Sequence, residues 1–292
     1  MEIFTKLNQL FARGTILTKL IYINVGIWIL LRLAIVVCTL FQVGDEHFVR
    51  YLQMPSAYSV FFHRPWTVIT YMFVHLDFLH ILLNMIWLFV FGRIFLLFFN
   101  ERQMGGLYVI GGIAGGVFFL LAYNIFPYFR NMVGSGFLMG ASASVMAIVF
   151  AAAFYRKDYE INLLLIGRIK LIYLALFALL IDLLSVVSAN AGGHVAHIGG
   201  ALLGIFYATQ LQKGKDLTVA VNRLIDKMVN CRKRRPVRMK VTYQRRETDA
   251  DYNMRKRKES DAIDEILDKL KHSGYQSLSS EEKKALFDAS KK

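Results

Sequence analysis

Few residues of this 292-residue chain are equipped for chemistry, and they lie in apolar surroundings. His80 and Asn84 stand four apart in His-Ile-Leu-Leu-Asn, a spacing that puts both on one face of a helix. Ser142 stands in Gly-Ala-Ser-Ala-Ser. A serine in the first turn of a helix is surrounded by free N–H groups that favour negative charge. His197 lies about one turn before Gly200, and Gly200 with Gly204 forms a GxxxG face that lets backbones approach closely. Ala143, Ala147 and Ala151 form a matching small stripe, with Ser142 beside its start. If the two stripes pack, Ser142 faces His197. That is the geometry of an imidazole base drawing a proton from a hydroxyl nucleophile. Such a site needs oxyanion donors, and His80, Asn84 and the Ser142 N–H are the available ones. Taken singly, each signal reads equally well as packing material or as an interhelical hydrogen bond. A His/Asn pair is a poor metal site without further ligands. Cys38 and Cys231 are too few for a cysteine zinc site and lie in settings too different for a mutual disulfide. No metal or cofactor is expected.

The elements that must position these residues are membrane helices. Hydrophobic residues make up 55% of the chain and charged ones 19%, with a mean hydropathy of +0.42. Those values exclude one ordinary soluble globule, and equally a disordered or fibrous chain. Six stretches approach the roughly 20 apolar residues of a span. They run from about Ile16 to Phe41, Phe78 to Phe98, Gly105 to Tyr123, Gly140 to Phe154, Leu171 to Val187 and Gly193 to Leu211. The expected fold class is an all-α membrane protein, a six-helix bundle with a small helical tail. With the N-terminus inside, nine Lys and Arg flank the inner span ends, among them Lys6 and Arg13. Three, Arg50, Arg64 and Arg130, flank the outer ones. Both termini are therefore expected in the cytoplasm. In that orientation Ser142, His197, His80 and Asn84 share one depth below the outer surface.

The net charge of +14 divides unevenly. Residues 1–211 hold 13 Lys+Arg against 8 Asp+Glu, and residues 212–292 hold 22 against 13. The expected organisation is a cytoplasmic N-terminus (1–15), a membrane domain (16–211), a basic linker (212–258) and a helical hairpin (259–292). Ile263, Ile266, Leu267 and Leu270 carry the first tail helix. Ser279 with Glu282 reads as a capping box opening the second. The basic runs Arg232–Arg235 and Arg255–Lys258 suit anionic lipid headgroups. They lack the interleaved aromatics of a nucleic-acid surface, so no nucleic-acid partner is expected.

In combination, these motifs resemble the rhomboid family of intramembrane serine proteases. The resemblance covers about residues 60–211: Trp66 before the second span, His75, the HxxxN of His80 and Asn84, the GxSx of Gly140–Ala143, and His197 followed by Gly200 and Gly204. It implies Ser142 as nucleophile and His197 as general base, acting as a dyad without an aspartate. It also implies that His80, Asn84 and the backbone at Ser142 hold the oxyanion, with Ala143 in a backbone role and His75 in support. The implied substrates are transmembrane proteins cut in or near their membrane segment, and the implied location is a bacterial inner membrane. Departures from the family pattern are Thr67 after Trp66, where Arg is frequent, Ala143 after the serine, where Gly is frequent, and Met146 where an aromatic often packs on the histidine.

Ser144 points about 200° away from Ser142 on a helix, so both cannot face His197. His194 is a rival base expected nearer the surface. Arg32 and Asp182 read as deep residues that pair with each other. Two other function classes compete: a catalytically silent relative that binds membrane helices, and a transporter. A transporter predicts charges along a continuous path, whereas the polar set here clusters at one depth.

Overall fold

The computed structural model describes residues 14–44, 46–163, 167–231 and 248–290. Lys6, Arg13 and the run Arg232–Arg235 lie outside them. The chain forms two compact units, Met1–Lys233 and Arg234–Lys292.

The first unit is mostly helical. Its long helices are α1 (Ile16–Leu40), α5 (Phe78–Phe95), α6 (Glu101–Ile125), α7 (Ser142–Tyr155), α8 (Leu171–Leu184) and α9 (Ala191–Gln212). Three short helices, α2 (Glu46–Arg50), α3 (Tyr58–His63) and α4 (Thr67–Thr70), fill the connection between α1 and α5. Helices α1, α5 and α6 are long and apolar enough to cross a membrane. The shorter α7 and α8 are apolar, and each rises about 21 Å at 1.5 Å per residue. Large apolar side chains stand exposed along α1, α5 and α8, among them Leu33, Leu40, Leu83, Phe177 and Leu184. An apolar exterior of this kind suits lipid.

Local chemistry sets the helix boundaries. The Thr15 side chain caps α1 by accepting from the Thr18 N–H. Asn100 and Gln103 cap α6 reciprocally. Two small antiparallel sheets complete the unit. β1 (Met54–Pro55) pairs with β2 (Phe137–Leu138), which ties the α1–α5 connection to the segment leading into α7. β3 (Glu160–Leu163) and β4 (Gly167–Lys170) form a hairpin between α7 and α8.

Helix α7 lies at the centre. Every residue from Ala143 to Ala153 is buried. A helix enclosed on all sides needs small residues, and its neighbours present glycines to it. A Cβ at Gly200 would press on the Ala143 carbonyl, and one at Gly204 on the Ala147 carbonyl. From α6, a Cβ at Gly115 would meet that of Ala143, and one at Gly111 that of Ala147. The Ala143/Ala147 stripe is thus held between the glycine faces of α9 and α6.

The segment expected as a linker contains structure. Helix α10 (Thr218–Cys231) packs against α6: Thr218 is buried and faces Gly106, and Asn222 Nδ2 donates to the Arg102 carbonyl at 3.0 Å. In the second unit, α11 (Asp249–Ser273) starts ten residues before the expected boundary. Thr248 caps it, and Asp249 and Asp251 occupy its positively polarised first turn. Lys and Arg are good helix formers, so the run Arg255–Lys258 continues the helix. α12 (Ser280–Ala289) opens on the reciprocal cap of Ser279 and Glu282. Lys269 Nζ donates to Glu282 at 2.8 Å and joins the two helices.

Gly200→Ala should destabilise the membrane unit by about 1–3 kcal/mol, the usual cost of overpacking. Gly26→Ala, with open space around the new methyl, should leave stability unchanged or raise it by about 0.5–1 kcal/mol. Thermal unfolding of the two variants in detergent, compared with wild type, measures both.

Candidate active site

Ser142 is the first residue of α7, so the N–H groups of the first turn have no intrahelical partner. The backbone is shaped just ahead of it. Gly140 has φ +111°, a conformation that L side chains rarely adopt, and a Cβ there would lie 2.8 Å from His80 Nε2. The Gly140 N–H donates to the Tyr71 carbonyl at 2.9 Å. The Tyr71 hydroxyl, in turn, donates to the Gly112 carbonyl at 2.6 Å. Next to it, the Ala141 N–H donates to His75 Nε2 at 3.2 Å. That acceptor role puts the His75 proton on Nδ1. His75 is fully buried, and its ring meets that of His80 edge-on at 5.0 Å between centroids. His75 therefore holds the turn that presents Ser142.

His80 and Asn84 lie on the first turns of α5, and Asn84 Nδ2 donates to the His80 carbonyl at 2.8 Å. Ser142, His80, Asn84 and His197 all line one cavity of about 550 Å³. Its rim comes from Ser135–Met139 and from the start of α9. A second, mostly apolar cleft of about 410 Å³ runs between α5 and α8. Ser142, Asn84, Met146 and His197 line that cleft too. The polar cavity and the apolar cleft meet at Ser142 and His197. Ser144 is fully buried and turned away, with its hydroxyl 3.9 Å from the Met72 sulfur.

Asp182 departs from expectation. Its Oδ1 accepts from His197 Nδ1 at 2.8 Å and from His194 Nδ1 at 2.7 Å. Arg32 is exposed on α1 and is not its partner among the described residues. The expected Arg32–Asp182 pair is replaced for a geometric reason. α8 stops at Leu184, so Asp182 sits at the helix end, and the α8–α9 hairpin lays it against the first two turns of α9. A signal was present in the sequence: Asp182 and the two histidines lie on either side of one short connection. Thr67 departs from the family pattern without loosening its loop. It is fully buried, and its hydroxyl donates to the Arg64 carbonyl at 2.6 Å. Trp66 Nε1 donates to the Tyr51 carbonyl at 2.9 Å.

Residues 63–213, just over half of the chain, match the family described as Rhomboid domain. The chain belongs to the rhomboid family. It is 28% identical over 162 residues to RHOMBOID-like protein 12, mitochondrial, of Arabidopsis thaliana, covering 52% of this chain and 48% of that protein. It is 26% identical over 179 residues to Rhomboid protease GlpG of Haemophilus influenzae, covering 61% of this chain and 86% of that protein. The chain thus spans about half the length of the plant relative. Residues 246–292 match a family of unknown function, DUF6576. Its span coincides with the two tail helices. As a rhomboid with an apolar helical exterior, the chain is an integral membrane protein.

Gly140→Ala should cost about 1–3 kcal/mol of stability, through a disfavoured backbone angle and contact with His80. Chemical denaturation in detergent checks it. A variant as stable as wild type would show that the turn relaxes around a methyl group.

Proposed function

We propose that this rhomboid is an intramembrane serine endopeptidase that uses Ser142 and His197 to cut transmembrane proteins in or near their membrane segment. The meeting of polar cavity and apolar cleft at Ser142 and His197 is the observation that carries this reading. The cleft suits apolar side chains of a membrane segment, and the cavity suits water and an exposed scissile backbone. In this reading α1, α5, α6, α7, α8 and α9 cross the bilayer, with both chain ends and the basic tail in the cytoplasm.

The chemistry follows from the donor set. Asp182 accepts from His197 Nδ1–H, which leaves Nε2 as the basic nitrogen. Nε2 takes the Ser142 proton as Oγ bonds to the scissile carbonyl carbon. The carbonyl oxygen becomes an oxyanion at the N-terminus of α7. Free N–H groups, His80 and Asn84 stabilise it there. When the C–N bond breaks, His197 returns its proton to the leaving amine. Water from the cavity then attacks the acyl carbon with His197 again as base; the acyl–Oγ bond breaks as His197 returns that proton to Ser142, and the carboxylate product leaves. Asp182 is a positioning residue in this scheme: it fixes the imidazole tautomer and does not touch the substrate. His75 acts only through the turn at Ala141, and Ala143 only by seating α7 on its neighbours.

Cleavage of a single-span reporter in proteoliposomes tests the assignment. Ser142→Ala and His197→Ala should each abolish it, and Ser144→Ala should not. A serine-reactive phosphonate should label wild type and not Ser142→Ala. Asp182→Asn should lower kcat by at least about tenfold with little change in KM, since positioned general-base catalysis contributes about 10²–10⁴-fold. A fully active Ser142→Ala would remove the assignment. Folded wild type that neither cleaves any of several reporters nor takes the label would favour a silent helix-binding relative.

The tail carries a separate expectation. A chain ending after residue 233, with the first compact unit complete, should cleave at close to the full-length rate. One ending after residue 215 loses α10 from α6 and should unfold at a lower temperature in the same detergent.

A further inference from the structure

His194, His197 and Asp182 form one cluster where α8 hands over to α9. One ring nitrogen of each histidine and one carboxylate oxygen lie within 4.8 Å of one another, and both Nδ1 atoms contact Asp182 Oδ1. The Asp182 side chain is 9% exposed, while the two imidazole side chains retain 19% and 20%. Among the described residues, Asp182 has no Lys or Arg within ion-pair distance. Among the described residues, its side-chain hydrogen-bond partners are the two ring N–H donors. A carboxylate flanked by two imidazoles is a donor set that suits a cation.

We propose that Asp182, His194 and His197 form a zinc site that switches off the serine site when it is filled. This rests on the proposed role of His197 as base. Two imidazole nitrogens and one carboxylate oxygen suit Zn²⁺ and are a poor match for Mg²⁺ or Ca²⁺, which prefer oxygen donors throughout. Donors about 2.0–2.2 Å from a tetrahedral zinc stand about 3.3 Å apart. The present N–O contacts of 2.7 and 2.8 Å would open by about half an ångström, and the two imidazole nitrogens, within 4.8 Å of each other, would close by at most about 1.5 Å, through rotation of both histidine side chains. Water takes the fourth position. The exchange conserves protons. Each imidazole gives up Nδ1 to the metal and carries its proton on Nε2 instead, and Asp182 replaces two accepted hydrogen bonds with one metal bond. His197 Nε2 then bears a hydrogen and cannot accept the one from Ser142. Zinc binding and base function compete for the same ring.

The test uses the full-length chain purified in detergent and stripped with a chelator. Binding is read by titrating Co²⁺, following its visible d–d bands, and displacing it with Zn²⁺. Cleavage of the single-span reporter is followed in parallel. Wild type should bind one zinc per chain and lose cleavage as the site fills, with recovery on adding chelator. Ser142→Ala should bind zinc as tightly as wild type. His194→Phe should weaken binding by at least about tenfold, since loss of even an outer-shell partner costs that much. The zinc concentration for half-inhibition, taken against the variant's own zinc-free rate, should rise by the same factor. His194→Cys supplies a replacement ligand and should retain tight binding, which separates loss of a ligand from loss of fold. Binding in wild type no tighter than in His194→Phe overturns the site. Inhibition equally sensitive in both overturns the switch. If zinc-free wild type neither cleaves nor takes the phosphonate label, the proposed function falls, and the site is then judged on Co²⁺ and Zn²⁺ binding alone.

Discussion

The contact between the Ala143 carbonyl and Gly200 governs the rest of the membrane unit. In lipid there is little hydrophobic gain from bringing two helices together, so close van der Waals contact has to hold them. Three helices meet here with almost no side-chain bulk between them: α9 through Gly200 and Gly204, α6 through Gly111 and Gly115, and α7 through its alanines. The first residue of α7 is Ser142, and His197 lies one turn before Gly200. Backbone contact therefore fixes the spacing of the two residues proposed for chemistry. The short length of α7 adds a second effect. Its start is entered through a tight turn held by His75 and Tyr71, so Ser142 opens where the polar cavity meets the apolar cleft.

The polar groups follow the same economy. Hydrogen-bonding atoms inside an apolar body need partners, and most around the site have one, the buried His75 Nδ1 being an exception. Tyr71 and Tyr108 bind main-chain carbonyls, Asn84 binds the carbonyl of His80, and His75 accepts from Ala141. The Asp182 carboxylate is shared by two imidazoles. A single oxygen atom thereby sets the proton positions of both rings.

Much of this was legible in the sequence because hydropathy and small-residue spacing are strong signals in membrane helices. The six apolar stretches correspond to α1 and α5–α9 within a few residues at most ends. The placement of Ser142 against the His197 helix could be argued from the alanine and glycine stripes alone. Hydropathy extends the fifth span to Val187 and so buries Asp182 deep within it, whereas α8 ends three residues earlier, at Leu184. A shift of that size decides whether a side chain near a helix end faces lipid or the next helix. The tail boundary was missed for another reason. A run of Arg and Lys reads as linker by charge, yet the same residues extend a helix once a Thr248 cap and acidic first turn start it. Nothing in the sequence marked Tyr71 as the anchor of Gly140, since a buried tyrosine in an apolar stretch carries no spacing signal.

The dependence on main-chain contact has a consequence for how this chain can drift. Where two helices touch through carbonyls and α-carbons, no compensating substitution on the partner restores the fit, because the partner has no side chain to shorten. Gly200 and Gly204, which face the Ala143 and Ala147 carbonyls, are therefore locked individually. The exposed apolar positions of α1, such as Leu33 and Leu40, are little packed and can exchange one apolar residue for another at small cost. A lineage descended from this chain would accumulate its changes on the outside, while a thin seam of glycine and alanine through α7 and α9 stayed fixed.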